Sequence, residues 1–268
     1  MLVLFPTLIY AQLLVTPASE LPGWSADSLV RNIFLNTGVS VSNVQFNGSS
    51  DTIHCDNIGI FETGSQPTNL GIESGVIIAT GHVSVAPGPN NNTGFHKPTN
   101  CNTYYDSNLA SIATSTIHDV AVLEFDFVPW DSVLTFNYVF ASEEYMEYVG
   151  SEYNDVFGFF VSGPNPNGGY YYNQNMATIP NTYEAVSINN VNLLHNSEYY
   201  VNNENGATIQ FDASVDDAKP YLELAGRDGR SDCISAIIMG VGPLGSQQRN
   251  VAGFTIAIGS SNGFCGRI

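Results

Sequence analysis

Residues 121–161 read AVLEFDFVPWDSVLTFNYVFASEEYMEYVGSEYNDVFGFFV, and the fold class follows from how this stretch is parsed. Ala121, Leu123, Phe125 and Phe127 fall on one face of an extended strand, with Glu124 and Asp126 on the other. Pro129-Trp-Asp-Ser carries turn residues, and Val133 to Phe140 repeats the alternation with Leu134, Phe136, Tyr138 and Phe140 on the apolar face. The two runs are expected to pair as a hairpin. Val156 to Val161, VFGFFV, is apolar almost without interruption, as a strand covered on both faces must be.

Working outward, the same vocabulary recurs. Val39 to Phe46, Gly75 to Thr80, Ala185 to Ile188, Glu198 to Val201 and Thr208 to Phe211 read as short strands; Ala236 to Val241 and Gly253 to Ile258 are suited to closing a sheet. One helix is expected: Ser25 and Asp27 open it, Leu29, Ile33 and Phe34 follow at helical spacing, and Gly38 stops it. Residues 86–103 are too rich in Pro, Gly and Asn for regular structure and read as a long surface loop, with an Asn-x-Thr sequon at Asn91. Many strands, frequent turns and no alternating helices predict a mainly β fold, an antiparallel β-sandwich with a short N-terminal helix.

Composition narrows the function classes. The chain has 268 residues and a formal net charge of −18, with seven Lys and Arg in all. Nucleic acid is excluded as a partner, since neutralising phosphates needs clustered cations. Residues 1–218 hold 22 acidic and two basic residues, whereas 219–268 hold three acidic and five basic ones. The first residues, MLVLFPTLIYA, are apolar and end in a small residue before Gln12, which predicts a signal peptide over 1–11 and export; as no basic residue precedes Arg31, the segment reads either as the end of a longer signal peptide or as a plain apolar N-terminus. No later stretch is apolar for the roughly 20 residues a membrane span needs. Residues 12–23 then read as a linker, 24–218 as the β-sandwich domain and 219–268 as a divergent or truncated C-terminal segment.

Three groups of residues invite a chemical reading. Glu143, Glu144, Glu147, Glu152, Asn154 and Asp155 offer the hard oxygen ligands that calcium takes, with no Lys or Arg among them; the other reading is a solvated acidic loop over a sheet edge. Glu143 or Glu144 with Asp155 could also supply the two carboxyls of a secreted glycoside hydrolase, the alternative functional class. Tyr170, Tyr171 and Tyr172 follow Gly168-Gly169 and offer flat apolar faces with hydroxyls, suited to a protein or a glycan at a cell surface, or else to packing on the sheet. His54, His82, His96, His118 and His195 form no metal motif and read as surface or packing residues. Cys55, Cys101, Cys233 and Cys265 are too widely spaced for a zinc ribbon; a Cys55–Cys101 disulfide and buried free thiols both remain open.

The run from Leu123 to Gly169, with Gly38-Val-Ser-Val-Ser-Asn-Val, Asn69-Leu-Gly-Ile-Glu-Ser-Gly-Val-Ile-Ile-Ala-Thr-Gly, Tyr199-Tyr-Val-Asn-Asn and Ile209-Gln-Phe-Asp, resembles the choice-of-anchor L domain family. The resemblance spans residues 24–212. It implies an exported bacterial protein, often of the Bacteroidota, whose relatives differ in their C-terminal sorting signals and carry no established enzymatic activity. After Asp217 the family pattern fades, with Tyr221-Leu-Glu-Leu-Ala followed by Gly226-Arg-Asp-Gly-Arg-Ser-Asp-Cys, and the resemblance there implies a truncated, divergent or frame-shifted end.

Overall fold

The computed structural model describes residues 13–35, 39–63, 72–87, 97–129, 136–142, 148–165, 168–201, 235–241 and 252–261. The expected helix forms where its cap chemistry places it. Ser25 accepts the Ser28 N–H at 3.3 Å while Ser28 Oγ accepts the Ser25 N–H, a reciprocal capping box for α1 (Ala26–Leu29). A π-helical turn, Val30–Phe34, continues it and buries Val30 and Phe34, with Phe34 edge-on to Phe125 at 6.0 Å. Arg31 pairs with Asp27 at 2.8 Å and donates to the Val41 carbonyl at 2.7 Å, tying this helix to the next strand.

One strand precedes this helix and ten come after it among the described residues, all antiparallel to their neighbours: β1 (Leu14–Pro17), β2 (Val39–Phe46), β3 (Ile58–Glu62), β4 (Ser74–Ala79), β5 (Ile117–Pro129), β6 (Phe136–Ser142), β7 (Val156–Pro164), β8 (Tyr170–Asn175), β9 (Val186–Ser187), β10 (Ser235–Val241) and β11 (Ala252–Ser261). One sheet runs β1-β3-β4-β10-β6. The other runs β2-β5-β11-β7-β8, with β9 also paired to β7. Ile58, Val76, Ile78 and Phe140 from the first sheet join Leu123, Phe125, Phe157, Phe159 and Ile256 from the second in one apolar core. Two faces that each bury every second residue against one another make a sandwich, as the alternation predicts.

The expected hairpin of β5 and β6 does not form. β5 pairs with β2 and β11, β6 pairs with β10, and the chain crosses from one sheet to the other between them. Alternation fixes which face of a strand is buried, and strands side by side or facing across a core show the same pattern. The expected inward residues Leu123, Phe125, Phe127 and Phe140 are buried and Tyr138 packs on the core, but β5 is not half-buried as its alternation suggests: Val120 and Val122 on its other face, like Val139 on β6, are buried in smaller clusters; Leu134 and the Phe136 side chain lie outside what the structure describes.

β7 is internal and covered on both faces, in keeping with its unbroken apolar run. Phe157, Phe159 and Val161 enter the main core; Val156 and Phe160 join Val120, Val122 and Leu109 in a smaller cluster beneath α2 (Ser107–Ile112). Gly158 is needed there, because a Cβ would strike the Phe160 ring and Ile112 Cδ1. The composition of the sequence did not foretell α2, a helix of six residues capped by Asp106 Oδ1, which accepts the Leu109 N–H at 2.6 Å. The expected strand at Glu198–Val201 is also corrected. Ser197–Tyr199 is a 3₁₀ turn, preceded by Asn196 in the left-handed region at φ 50° and closed by the Tyr199 and Tyr200 N–H groups donating to the Asn196 and Ser197 carbonyls at 3.0 and 3.2 Å, so these residues spend their backbone donors locally and not on a neighbouring strand.

Residues 219–268, set apart by charge, supply β10 and β11. β10 lies between β4 and β6, and β11 between β5 and β7, so each has partners on both sides. Residues 1–11, Asn91 and Thr208–Phe211 lie outside the described residues.

Candidate functional site

The tyrosine triplet sits on β8, the last strand of its sheet. β7 and β8 form a hairpin whose register pairs Pro164 with Tyr170 and Gly163 with Tyr171, closed through Gly168 and Gly169 at φ 100° and 86°, a conformation glycine tolerates without a Cβ clash. Side chains alternate along a strand, so the triplet divides. Tyr171 packs against the main core, whereas Tyr170 and Tyr172 stay 50% and 80% exposed on the opposite face. Their ring centroids are 4.8 Å apart with the planes 43° from parallel. The two sequence readings of the triplet therefore each hold for part of it: one tyrosine packs, and two face solvent.

Beyond the pair, a bulge interrupts the β7–β8 register between Val161 and Gly163. Asn173, at φ 48°, fills it: its N–H donates to Ser162 Oγ at 3.0 Å, and that hydroxyl donates to Asn173 Oδ1 at 2.6 Å. Asn175 Oδ1 accepts the Phe159 and Ala177 N–H groups, both at 3.0 Å, which fixes the far end of the strand.

Of the six oxygen-bearing residues between β6 and β7, Glu143, Glu144 and Glu147 lie outside the described residues. The other three point differently. Glu152 is exposed, Asn154 is 2% exposed and Asp155 is completely buried. Asn154 Oδ1 accepts the Asn189 N–H at 3.0 Å and its Nδ2 donates to Thr114 Oγ1 at 3.4 Å; Asn189 in turn donates to the Ser151 carbonyl at 3.1 Å and accepts the Gly150 N–H. These amides fasten the end of the acidic segment to the loop after β9. Among the described residues, no group of three or more His, Cys, Asp or Glu is placed to hold a metal ion.

Spacing along the chain gave no sign of a second cluster. Asp56 and His82 are both buried, with His82 Nε2 3.3 Å from Asp56 Oδ2. His82 Nδ1 accepts the Ser84 N–H at 3.2 Å, which leaves the ring proton on Nε2, directed at the carboxylate. Burial lowers the His82 pKa, and Lys97 adds to that; the Asp56 charge opposes both. Asp56 Oδ1 accepts from Thr99 Oγ1 and the Asn100 N–H, each at 3.1 Å, and Asn100 Oδ1 accepts the Asp56 N–H at 3.2 Å. Next to it the Cys55–Cys101 disulfide closes, so for these two the open choice is the bridge; Cys233 and Cys265 lie outside the described residues. Together they clamp residues 97–101 onto the start of β3. Ser84 Oγ is held by Lys97 Nζ at 3.0 Å, and the whole arrangement serves as a fastening.

The other histidines agree with surface roles. His54 and His118 are exposed, His96 lies outside the described residues, and His195 Nε2 meets Glu184 at 3.0 Å on the surface. The Asn196 amide, and next His195, hold the Glu184 carboxyl below its ordinary pKa. Among the described residues no helix is long and apolar enough to cross a membrane.

The Choice-of-anchor L domain model matches residues 19–219, most of the chain. No curated protein and no solved structure matches it.

Proposed function

Because the chain belongs to the choice-of-anchor L domain family, which is not a known enzyme family, we propose that it is a non-catalytic domain exported to the cell surface, acting there in binding, adhesion or surface assembly. The observation that carries this reading is the pair Tyr170 and Tyr172, held on the solvent side of an edge strand by Tyr171 between them, which is partly buried and packs on the core. Aromatic rings kept in water lose the free energy of burial that a core position would give, about 1.5–3 kcal/mol for a side chain of this size, and contact with a partner recovers it. The clamp at Asp56 and the bridge at Cys55–Cys101 suit a domain working outside the cell, where disulfides persist.

The test is retention against turnover. Fluorescently labelled domain is mixed with whole cells, isolated envelopes and extracellular polysaccharide. Saturable retention without release of soluble sugar is expected. Release of reducing ends that disappears in Glu144→Gln would overturn the reading in favour of a glycoside hydrolase. Calcium enters the same proposal as a stiffener of the connection from β6 to β7, supported by the hard oxygen ligands of that segment and by the complete burial of Asp155 at its end. A higher melting temperature in calcium than in chelator is expected; identical curves would remove calcium from the account.

A further inference from the structure

We propose that Tyr170 and Tyr172 form a stacking platform for a neutral glycan, a reading that rests on the surface-binding role above and gives it a ligand class. The charge pattern points to that ligand. In a chain of net charge −18, the stretch from Val156 to Tyr183 contains no Asp, Glu, Lys, Arg or His. The β7–β8 hairpin and the turn beyond it are thus a neutral zone within an acidic protein. A basic peptide would find no counter-charge in this stretch, and an anionic polysaccharide would find no cation in it while meeting repulsion from the chain as a whole.

The zone does offer what neutral sugars bind. The C–H faces of a pyranose stack on aromatic rings, and its hydroxyls exchange hydrogen bonds with amides and phenols. Tyr170 and Tyr172 supply two rings 4.8 Å apart, with Asn173 and Gln174 exposed next to them on the same strand. The strand that carries the two rings is fixed before any ligand arrives. Tyr171 is packed on the core, the bulge at Asn173 is locked by Ser162, and tyrosine has few rotors to freeze.

The experiment is calorimetry of the whole chain against neutral hexasaccharides of glucose, mannose, xylose and galactose, with polygalacturonate as the anionic probe. Heat is expected with at least one neutral series and none with polygalacturonate, with affinity unchanged between about 0.05 M and about 0.5 M salt because no ion pairs are made. Tyr172→Ala is expected to weaken binding about tenfold, equivalent to about 1.4 kcal/mol, and Tyr172→Phe to retain most of it. Circular dichroism of each variant confirms the fold; both side chains are exposed, so the substitutions leave the core intact. Absence of heat with every neutral probe overturns the proposal, as does binding that survives Tyr170→Ala with Tyr172→Ala, which would mark strand addition along β8 instead. If the cell and envelope retention described above persists while the neutral probes fail, the glycan assignment falls and the surface-binding role stands; if retention fails too, both fall.

Discussion

Phe157 and Tyr138 are the most informative pair to perturb, because they lie on different sheets. Phe157, on β7, is completely buried, and its ring centroid lies 4.9 Å from that of Tyr138 on β6, tilted by 56°. Truncating a buried phenylalanine to alanine removes its transfer energy and leaves a cavity, about 3–5 kcal/mol. Against a total stability of about 5–15 kcal/mol, that is enough to move the urea midpoint far down at unchanged slope. The sharper quantity is the ring-to-ring term, about 0.5–1.5 kcal/mol beyond area burial. A double-mutant cycle with Phe157→Leu and Tyr138→Leu isolates it, since both replacements stay apolar and fill most of the space. A coupling of about 1 kcal/mol is expected by urea unfolding if β6 and β7 face each other across one core. Additivity within about 0.3–0.5 kcal/mol would refute the facing arrangement and reopen the hairpin of β5 and β6 in a single sheet.

Three further outcomes follow from the same structure. Removing residues 219–268 takes away β10 and β11, each paired on both sides, and should abolish cooperative thermal unfolding; a sharp transition at the full-length temperature would contradict the sheet order. Replacing Cys55 and Cys101 by serine frees a loop closed across a sequence separation of 46, for which the chain-entropy relation gives about 4 kcal/mol as an upper figure, so a loss of about 2–4 kcal/mol is expected in urea unfolding. His82 has its pKa lowered in the fold by burial, so acidification below about 6.5 protonates it first in the unfolded chain and stability should fall between that pH and its lower folded pKa. His82→Gln should flatten this part of the stability profile, and a wild-type midpoint that rises on acidification relative to the variant would reverse the assigned sign.

What the sequence made legible is what local physics determines. A period of two assigned the core-facing residues of β5 and Tyr138 and Phe140 of β6, though not the burial of Val122 and Val139 on their other faces; an unbroken apolar run marked β7 as covered on both sides, and a cap followed by spaced apolar residues located α1. Pairing was not legible, because β5 lies between β2 and β11, the latter more than a hundred residues away, and nothing in any of these strands alone names its neighbour. The strands at 235–241 and 252–261 could be seen as strands, but their positions in the middle of both sheets could not. α2 is too short to show periodicity. Asp56 and His82 meet only because β3 and β4 pair beside them. The tyrosine triplet could be seen as chemistry, but which of its members faces water depended on the register of β8 against β7.

The central claim, a domain displayed at the surface of the cell that makes it, is tested most directly by labelling intact producing cells with a membrane-impermeant amine or tyrosine reagent and isolating the chain. Labelling of the protein on intact cells, including modification at Tyr170 or Tyr172, is the expected result. Labelling only after the cells are lysed would contradict it.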